Sequence, residues 1–248
     1  MLAESEAIIL KSKKYGDTSK IVTLYAKHHG ITTLIAKGAR EQKSHFGGSL
    51  EPLCNSYVSY YRKPGRELHL LSKAETVQSN KKIFESYQHT AYGLMIAESV
   101  LESQTEQEPN DILFQGISYH LSELAKLQQN SFALFASFQL LLAGQIGIGM
   151  NFDESSVSEE LFYGKDISYS IESGCPMKMS GGIANHSFRL KSSAFRFLNC
   201  IVNNDLEKLS DTNTDFKSQS HIKDFFTYYF SFHLEKKFVY KSFNLLKI

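Results

Sequence analysis

The chain has 248 residues, enough for one large domain or two small ones, with an ordinary apolar content of 42% and a formal net charge of +1. Its acidic opening, Met1 to Glu6, lacks a cationic n-region and predicts no signal peptide. The longest apolar run, Phe132 to Met150, is broken by Ser137, Gln139, Gly144, Gln145, Gly147 and Gly149, and reads as a buried helix rather than a membrane span. Cys54, Cys175 and Cys200 are odd in number and far apart, which favours reduced thiols in a cytoplasmic protein over a disulfide framework.

The first 80 residues or so predict five short strands separated by turn signals. Ala7 to Lys13 is the first, and Tyr15-Gly16-Asp17 turns it into Ser19 to Lys27. His28-His29-Gly30 leads into Gly30 to Lys37. Leu53 to Arg62 is a fourth strand, with Tyr57, Ser59 and Tyr61 on one face and Val58 and Tyr60 on the other. Lys63-Pro64-Gly65-Arg66 turns the chain into a fifth strand, Glu67 to Val77. Five strands of this length suggest a small barrel of the OB type, which presents an oligonucleotide face.

Between the third and fourth strands lies Lys37 to Pro52. It combines three cations (Lys37, Arg40, Lys43), three glycines, His45 and Phe46. Cations contact phosphates, an aromatic ring stacks on a base, and glycines admit close backbone approach. Lys37, Arg40 and Lys43 are therefore candidate DNA contacts, with Lys13, Lys14, Arg62, Lys63 and Arg66 near by. Phe46 is a candidate stacking ring or, alternatively, a core plug beneath the loop. The charge distribution agrees. Residues 1–82 hold 14 basic against 7 acidic residues, net +7, and the rest hold 13 against 19, net −6. That asymmetry marks a basic binding module joined to something else.

After Asn80 the hydrophobic period becomes helical. Tyr92, Ile96, Val100 and Leu101 fit one helix. Glu108-Pro109-Asn110 starts another that carries Ile112, Leu113, Ile117, His120, Leu121, Leu124 and Leu127. A third, capped by Ser131, runs to about Ile146 and stops at the glycines. Residues 151–187 are aperiodic and predict an irregular insert. A helix from about Ala194 to Val202 follows, then a polar linker from Asp205 to Ser220, then an aromatic helix from about His221 to Tyr240. The expected organisation is an α+β chain, with an OB-type barrel over 1–80 and an all-helical domain over 81–248.

Motifs for chemistry are missing. There is no Walker A loop, Gly-x-Ser-x-Gly elbow or His-Glu-x-x-His pair. Gly144-x-x-Gly147-x-Gly149 follows a helix and reads as its stop. No local spacing assembles four zinc ligands, since Cys175-Pro176-Met177-Lys178 lacks a second cysteine. The expectation is no catalytic residue, no metal and no cofactor.

Lys37-Gly38-Ala39-Arg40, Lys43-Ser44 and Phe46-Gly47-Gly48-x-Leu50-x-Pro52 resemble the signature loop of the RecO family of bacterial recombination-repair proteins. The resemblance begins at Ala7 to Ser12 and Tyr15 to Leu24, and resumes at Phe138 to Gly149. It implies an OB barrel followed by a helical domain. It also implies a non-catalytic mediator, cytoplasmic and nucleoid-associated, that binds single-stranded DNA, anneals strands and helps place RecA on DNA coated by single-strand-binding protein. Implied partners are RecR, the acidic C-terminal tail of that coating protein and, as an open further partner, double-stranded DNA; no membrane is implied. Many members carry a four-cysteine zinc module after the glycine-rich turn, where residues 151–187 hold only Cys175. For the tail, the aromatic final helix with Phe232, Lys236 and Lys237 is the candidate site, unless that helix is simply wedged in the core. An OB-domain nucleic-acid-modifying enzyme and an RNA-binding protein are the alternatives.

Overall fold

The structure is a computed structural model that describes residues 1–63, 65–105, 108–126, 130–177, 186–204 and 215–247. Pro64 of the predicted hairpin turn, Leu127, Lys178, residues 178–185 of the predicted insert and residues 205–214 of the predicted linker lie outside the described residues. Strands β1 (Leu2–Tyr15), β2 (Ser19–Ala26), β3 (Gly30–Ala36), β4 (Asn55–Tyr61) and β5 (Leu68–Gln78) close into a barrel in the order β1-β2-β3-β5-β4. All neighbours are antiparallel except β3 and β5.

Closure rests on β1, which pairs with β4 through Leu2 to Ile8 and with β2 from Ala7 to Tyr15. Between Ile9 and Lys11 its register with β2 shifts, so Leu10 is an extra residue. Before the bulge Ala3, Ala7 and Ile9 point into the barrel. Strict alternation would send Lys11 and Lys13 inward too. The added residue reverses the phase, so Lys11 pairs with Thr23 and Lys13 with Ile21, and both lysines are exposed. The interior is filled by Val22, Leu24, Leu34, Val58, Tyr60 and Leu71, joined by Phe46 and Leu50 from the loop between β3 and β4.

Helices α1 (Tyr87–Ser103) and α2 (Asp111–Ala125) cover the outer face of β1, where Ile8 and Leu10 are buried. Ser86 and Asn110 cap them by accepting the N–H groups of His89 and Leu113. The segment entering α2 crosses the β2–β3 turn closely. Asn110 N–H donates to the Tyr25 hydroxyl at 3.0 Å, and a Cβ on Gly30 would lie 2.6 Å from the Glu108 carbonyl oxygen. From Lys241 on, the chain returns to α1, where Ser242 donates to the Glu98 carboxylate. Burial raises the pKa of Glu98, and these bonds oppose the rise.

The chain forms two compact units. One is Met1–Phe135 with the segment from Lys241, and the other is Ala136–Tyr240. Helix α3 (Ser131–Gln145) spans the division; its end is stopped by Gly147 in the left-handed region. In the second unit follow a short α4 (Ser158–Phe162), α5 (Ser192–Val202) and α6 (Phe216–His233). The segment expected to be irregular, 151–187, carries β6 (Ile167–Ser170) and β7 (Cys175–Pro176), which join β8 (Ser187–Leu190) at its end in a small antiparallel sheet, β7-β6-β8. Strands of two to four residues are too short to display alternation in sequence.

Helix α6 also differs from its expected span. It begins at Phe216, where Asp215 accepts the Ser218 N–H, and ends at His233 rather than near Tyr240. Glu235 adopts φ 51°, and the Glu235 and Lys236 N–H groups bond back to the carbonyls of Phe232 and Ser231. This is a Schellman ending without its usual glycine, so no sequence signal marked it.

Gly30 and Gly16 both have positive φ, but only Gly30 faces a backbone neighbour. Gly30→Ala is expected to cost about 2 kcal/mol or more, since backbone strain of ~1–2 kcal/mol adds to overlap with Glu108. Gly16→Ala should cost only the strain. Urea midpoints of the two variants measure the difference, and equal midpoints would contradict the close approach.

Candidate nucleic-acid interface

Lys14 pairs with Lys20 on β2, and Lys20 pairs with Ala36, the last residue of β3. Lys13, Lys14, Lys20 and Lys37 therefore gather at one end of the β1-β2-β3 sheet. The loop after β3 folds against the same end. Arg40 donates its backbone N–H to the Thr18 carbonyl at 2.8 Å, and its guanidinium donates to the Gly16 carbonyl at 2.9 Å. Lys37, Arg40 and Lys43 are exposed, and Lys20 is ion-paired to Glu51 at 2.9 Å.

Phe46 lies beneath this loop, 4% exposed and packed in the barrel core. Ser49 Oγ donates to the Phe46 carbonyl at 2.5 Å, and Ser56 Oγ donates to the Ser49 carbonyl at 2.7 Å, which hold the ring-bearing turn down. A ring sealed in this way offers no face to a base. The geometry supports the plug rather than the stacking ring, because the barrel needs an apolar lid at this end.

Arg62, Lys63 and Arg66 stand apart from the first group. They follow Tyr61, which pairs with Leu70, and β5 starts at Leu68 opposite Thr33. That level is three residues of β3 away from Ala36, ~10 Å at 3.3 Å per residue. The expected single neighbourhood is thus two groups, at separate levels of the barrel. Arg62 is half-buried, and Lys63 and Arg66 are exposed.

Between the two groups runs a row that the sequence did not reveal. Leu2 pairs with Tyr61, Tyr61 with Leu70, Leu70 with Ile35, Ile35 with Ile21, and Ile21 with Lys13. Residues paired in this way share a face. Here it is the outer face: Leu2 is 50%, Tyr61 48% and Leu70 37% exposed, and Ile35 and Ile21 are half-buried. A parallel row of Leu68, Thr33, Thr23 and Lys11 lies beside it. An apolar strip with one aromatic ring, edged by cations, runs around the outside of the barrel across β4, β5, β3 and β2. That Tyr61 shares a face with Tyr57 was legible from alternation, but which face is outward and which residues flank it required the register.

In the second unit α6 is wedged centrally. Phe225, Phe226, Tyr229 and Phe230 are buried, as are Phe238 and Tyr240 beyond its end, and Tyr228 is 39% exposed. Phe225 meets the rings of Phe152, Tyr169 and Phe188. The Tyr229 hydroxyl donates to the Gly149 carbonyl and the Tyr169 hydroxyl to that of Gly174. Burial pushes Tyr229 up to about 12 and raises Tyr169 as well. Phe232 is half-buried beside the ring of His186 at 4.7 Å. Lys236 and Lys237 are exposed but lie past the helix end, so they are not on its surface as expected.

The three cysteines are free thiols. Among the described residues no group of His, Cys, Asp and Glu could hold a metal ion, and no helix is long and apolar enough to cross a membrane.

The N-terminal architecture is a closed five-stranded barrel of the OB type, followed by helices. Comparison with known families agrees with it. The family model "Recombination protein O N terminal" matches residues 1–80, and "Recombination protein O C terminal" matches residues 85–241. The chain belongs to the RecO family of DNA repair proteins. The DNA repair protein RecO of Salinibacter ruber is 34% identical over 156 residues, 63% of this chain and 60% of that protein. The protein of the same name from Thermoanaerobacter sp. is 24% identical over 246 residues, 98% of this chain and 96% of that protein. That of Bacillus subtilis is 34% identical over 124 residues, half of this chain and 48% of the relative. In the Salinibacter and Bacillus matches the chain thus spans less than two thirds of the relative's length.

A plug and a stacking platform respond differently to truncation. Phe46→Ala should lower stability by about 3–5 kcal/mol, as for other buried aromatic side chains, and Phe46→Leu by much less. Denaturant titration checks this. An Ala variant as stable as the parent would return Phe46 to the surface.

Proposed function

We propose that this chain is a non-catalytic DNA repair and recombination mediator. It binds single-stranded DNA, anneals strands and helps load RecA onto DNA coated by single-strand-binding protein. The observation that carries this reading is the apolar strip through Tyr61, Leu70, Ile35 and Ile21, edged by cations on both sides. Single strands are held by electrostatic grooves with apolar or aromatic platforms, because every base has a π-face and every nucleotide a phosphate. Family membership supports the repair role. In this reading residues 1–80 form the DNA-binding part. Lys13, Lys14, Lys37, Arg40 and Lys43 hold phosphates on one side, and Arg62, Lys63 and Arg66 on the other. Phe46 acts from below by holding the loop in shape. Double-stranded DNA would meet the same cations without the platform.

A strand that neutralises roughly five phosphates gives a log–log salt slope of about −3.5, hence on the order of a hundredfold loss between 50 and 200 mM salt. Fluorescence anisotropy with a labelled oligonucleotide measures this. Replacing Lys14, Lys37 and Lys43 by Ala should flatten the slope by about 2. Tyr61→Ala should lower affinity roughly 5- to 150-fold with the slope unchanged, because a stacked base contributes ~1–3 kcal/mol. Unchanged binding in both variants would move the site elsewhere, and turnover of the oligonucleotide would favour an enzyme.

RecR and the acidic tail of the coating protein are the proposed protein partners. For the tail, Lys236 and Lys237 supply exposed cations beside the half-buried ring of Phe232, which suits an acidic peptide ending in an apolar residue. Such a peptide should bind at micromolar concentration, more weakly in salt, and Lys236→Ala with Lys237→Ala should weaken it further at unchanged thermal stability. Binding that maps to residues 1–80 instead would refute this site.

A further inference from the structure

A cavity of about 250 Å³ opens between the end of the glycine-rich loop and the link from β5 to α1. Its lining includes Gly48, Glu51, Pro52, Ser79, Lys81 and Phe84. None of these belongs to the strip across β4, β5, β3 and β2. Phe84 sits on the 3₁₀ turn Lys81–Glu85 and is 48% exposed, whereas its neighbour Ile83 is fully buried and anchors the turn. The turn thus holds a large ring out as a wall of the cavity. On the opposite side Gly48 has no side chain, and the Lys81 stem passes 3.9 Å from where its Cβ would be.

Size and chemistry restrict the occupant. Drug-sized ligands use pockets of ~300–1,000 Å³, so this one accommodates a single flat ring system. The Phe84 ring and Pro52 supply apolar walls. Lys81 supplies a cation in the lining; Lys82 next to it in sequence is exposed, and Lys20 is paired to the lining residue Glu51 at 2.9 Å. Ser79 and Glu51 offer polar atoms for the edge of the ring; a carboxylate accepts hydrogen bonds from an exocyclic amino group. An acidic peptide would meet Glu51, whereas a base meets a matched acceptor. Gly48 also lies on the same loop as Lys37, Arg40 and Lys43, the proposed phosphate contacts.

From this we infer that the cavity takes one unstacked nucleobase of a single-stranded nucleic acid whose backbone follows the loop lysines. The inference rests on the proposed single-strand binding and adds a second base contact outside the strip. The pair of lysines close before an aromatic ring, Lys81-Lys82-Ile83-Phe84, is its trace in the sequence.

Two variants test it from opposite directions. Phe84→Ala removes the wall. Gly48→Leu narrows the cavity, and its ordinary φ and open surroundings accept the side chain. Both are titrated at low salt with a single-stranded oligonucleotide and with an abasic oligomer of the same length, which keeps the phosphates and lacks the bases. Each variant should lose roughly tenfold in affinity for the base-containing strand, within the range of one stacked base. Neither should change affinity for the abasic oligomer. Wild-type affinity for both strands in both variants overturns the inference. Equal loss on both strands also overturns it, since the contact is then not to a base. So does unchanged DNA affinity with lost binding of an acidic, apolar-ended peptide, which assigns the cavity to a protein side chain. Failure of the wild-type protein to bind either strand would instead overturn the parent reading.

Discussion

The extra residue at Leu10 is the constraint on which the barrel's surface depends. A strand that serves two neighbours must bend, and a bulge is the local device that bends it. The same bulge reverses the in–out phase of everything after it. Ala3, Ala7 and Ile9 face the interior, and Lys11 and Lys13 face outward although they share parity with those residues. Two lysine ammonium groups inside a barrel of Val, Leu and Tyr would each cost several kcal/mol in desolvation. One irregular backbone step therefore makes the closed core and the cationic edge of the outer strip compatible.

The loop after β3 illustrates a second economy. It is long for a connection in a compact domain, yet it is held from both sides. Phe46 and Leu50 enter the barrel, and Leu53 packs so closely on α1 that a Cβ at Gly93 would lie 2.8 Å from its Cδ1. Arg40 fastens the front of the loop to the β1–β2 turn. The cations between these anchors are thus presented from a constrained backbone. Arg40 serves both ends, as a staple to Gly16 and as a charge with further donors to offer.

In the second unit aromatic packing and tyrosine hydroxyls organise the segment after the glycine-rich turn. Phe152, Tyr169, Phe195 and Phe225 form a continuous ring cluster. Gly174 is required where the backbone of Gly149 and the Tyr229 hydroxyl converge, both 2.6 Å from where its Cβ would stand. Buried rings contribute several kcal/mol apiece on truncation, enough for a small sheet of short strands to hold a defined position.

The strands, their turns and the helical remainder were legible in the sequence because alternation, turn glycines and the 3.6-residue period are local properties. So were the cations of the signature loop and the face that Tyr61 shares with Tyr57 and Ser59. Helix α6 was legible as an aromatic segment but not in its bounds, since its end depends on Glu235 taking a conformation that glycine normally marks. The sheet β6–β8 was not legible, because strands this short carry no period. Whether Phe46 faced solvent or core, whether Arg62, Lys63 and Arg66 joined the loop cations, and which side chains flank Tyr61 are all questions of register and closure. Those depend on residues some 35 to 60 positions apart, such as Leu2 with Tyr61 and Ile35 with Leu70. A local pattern assigns each side chain to a face. Only pairing between distant strands decides which side chains share it.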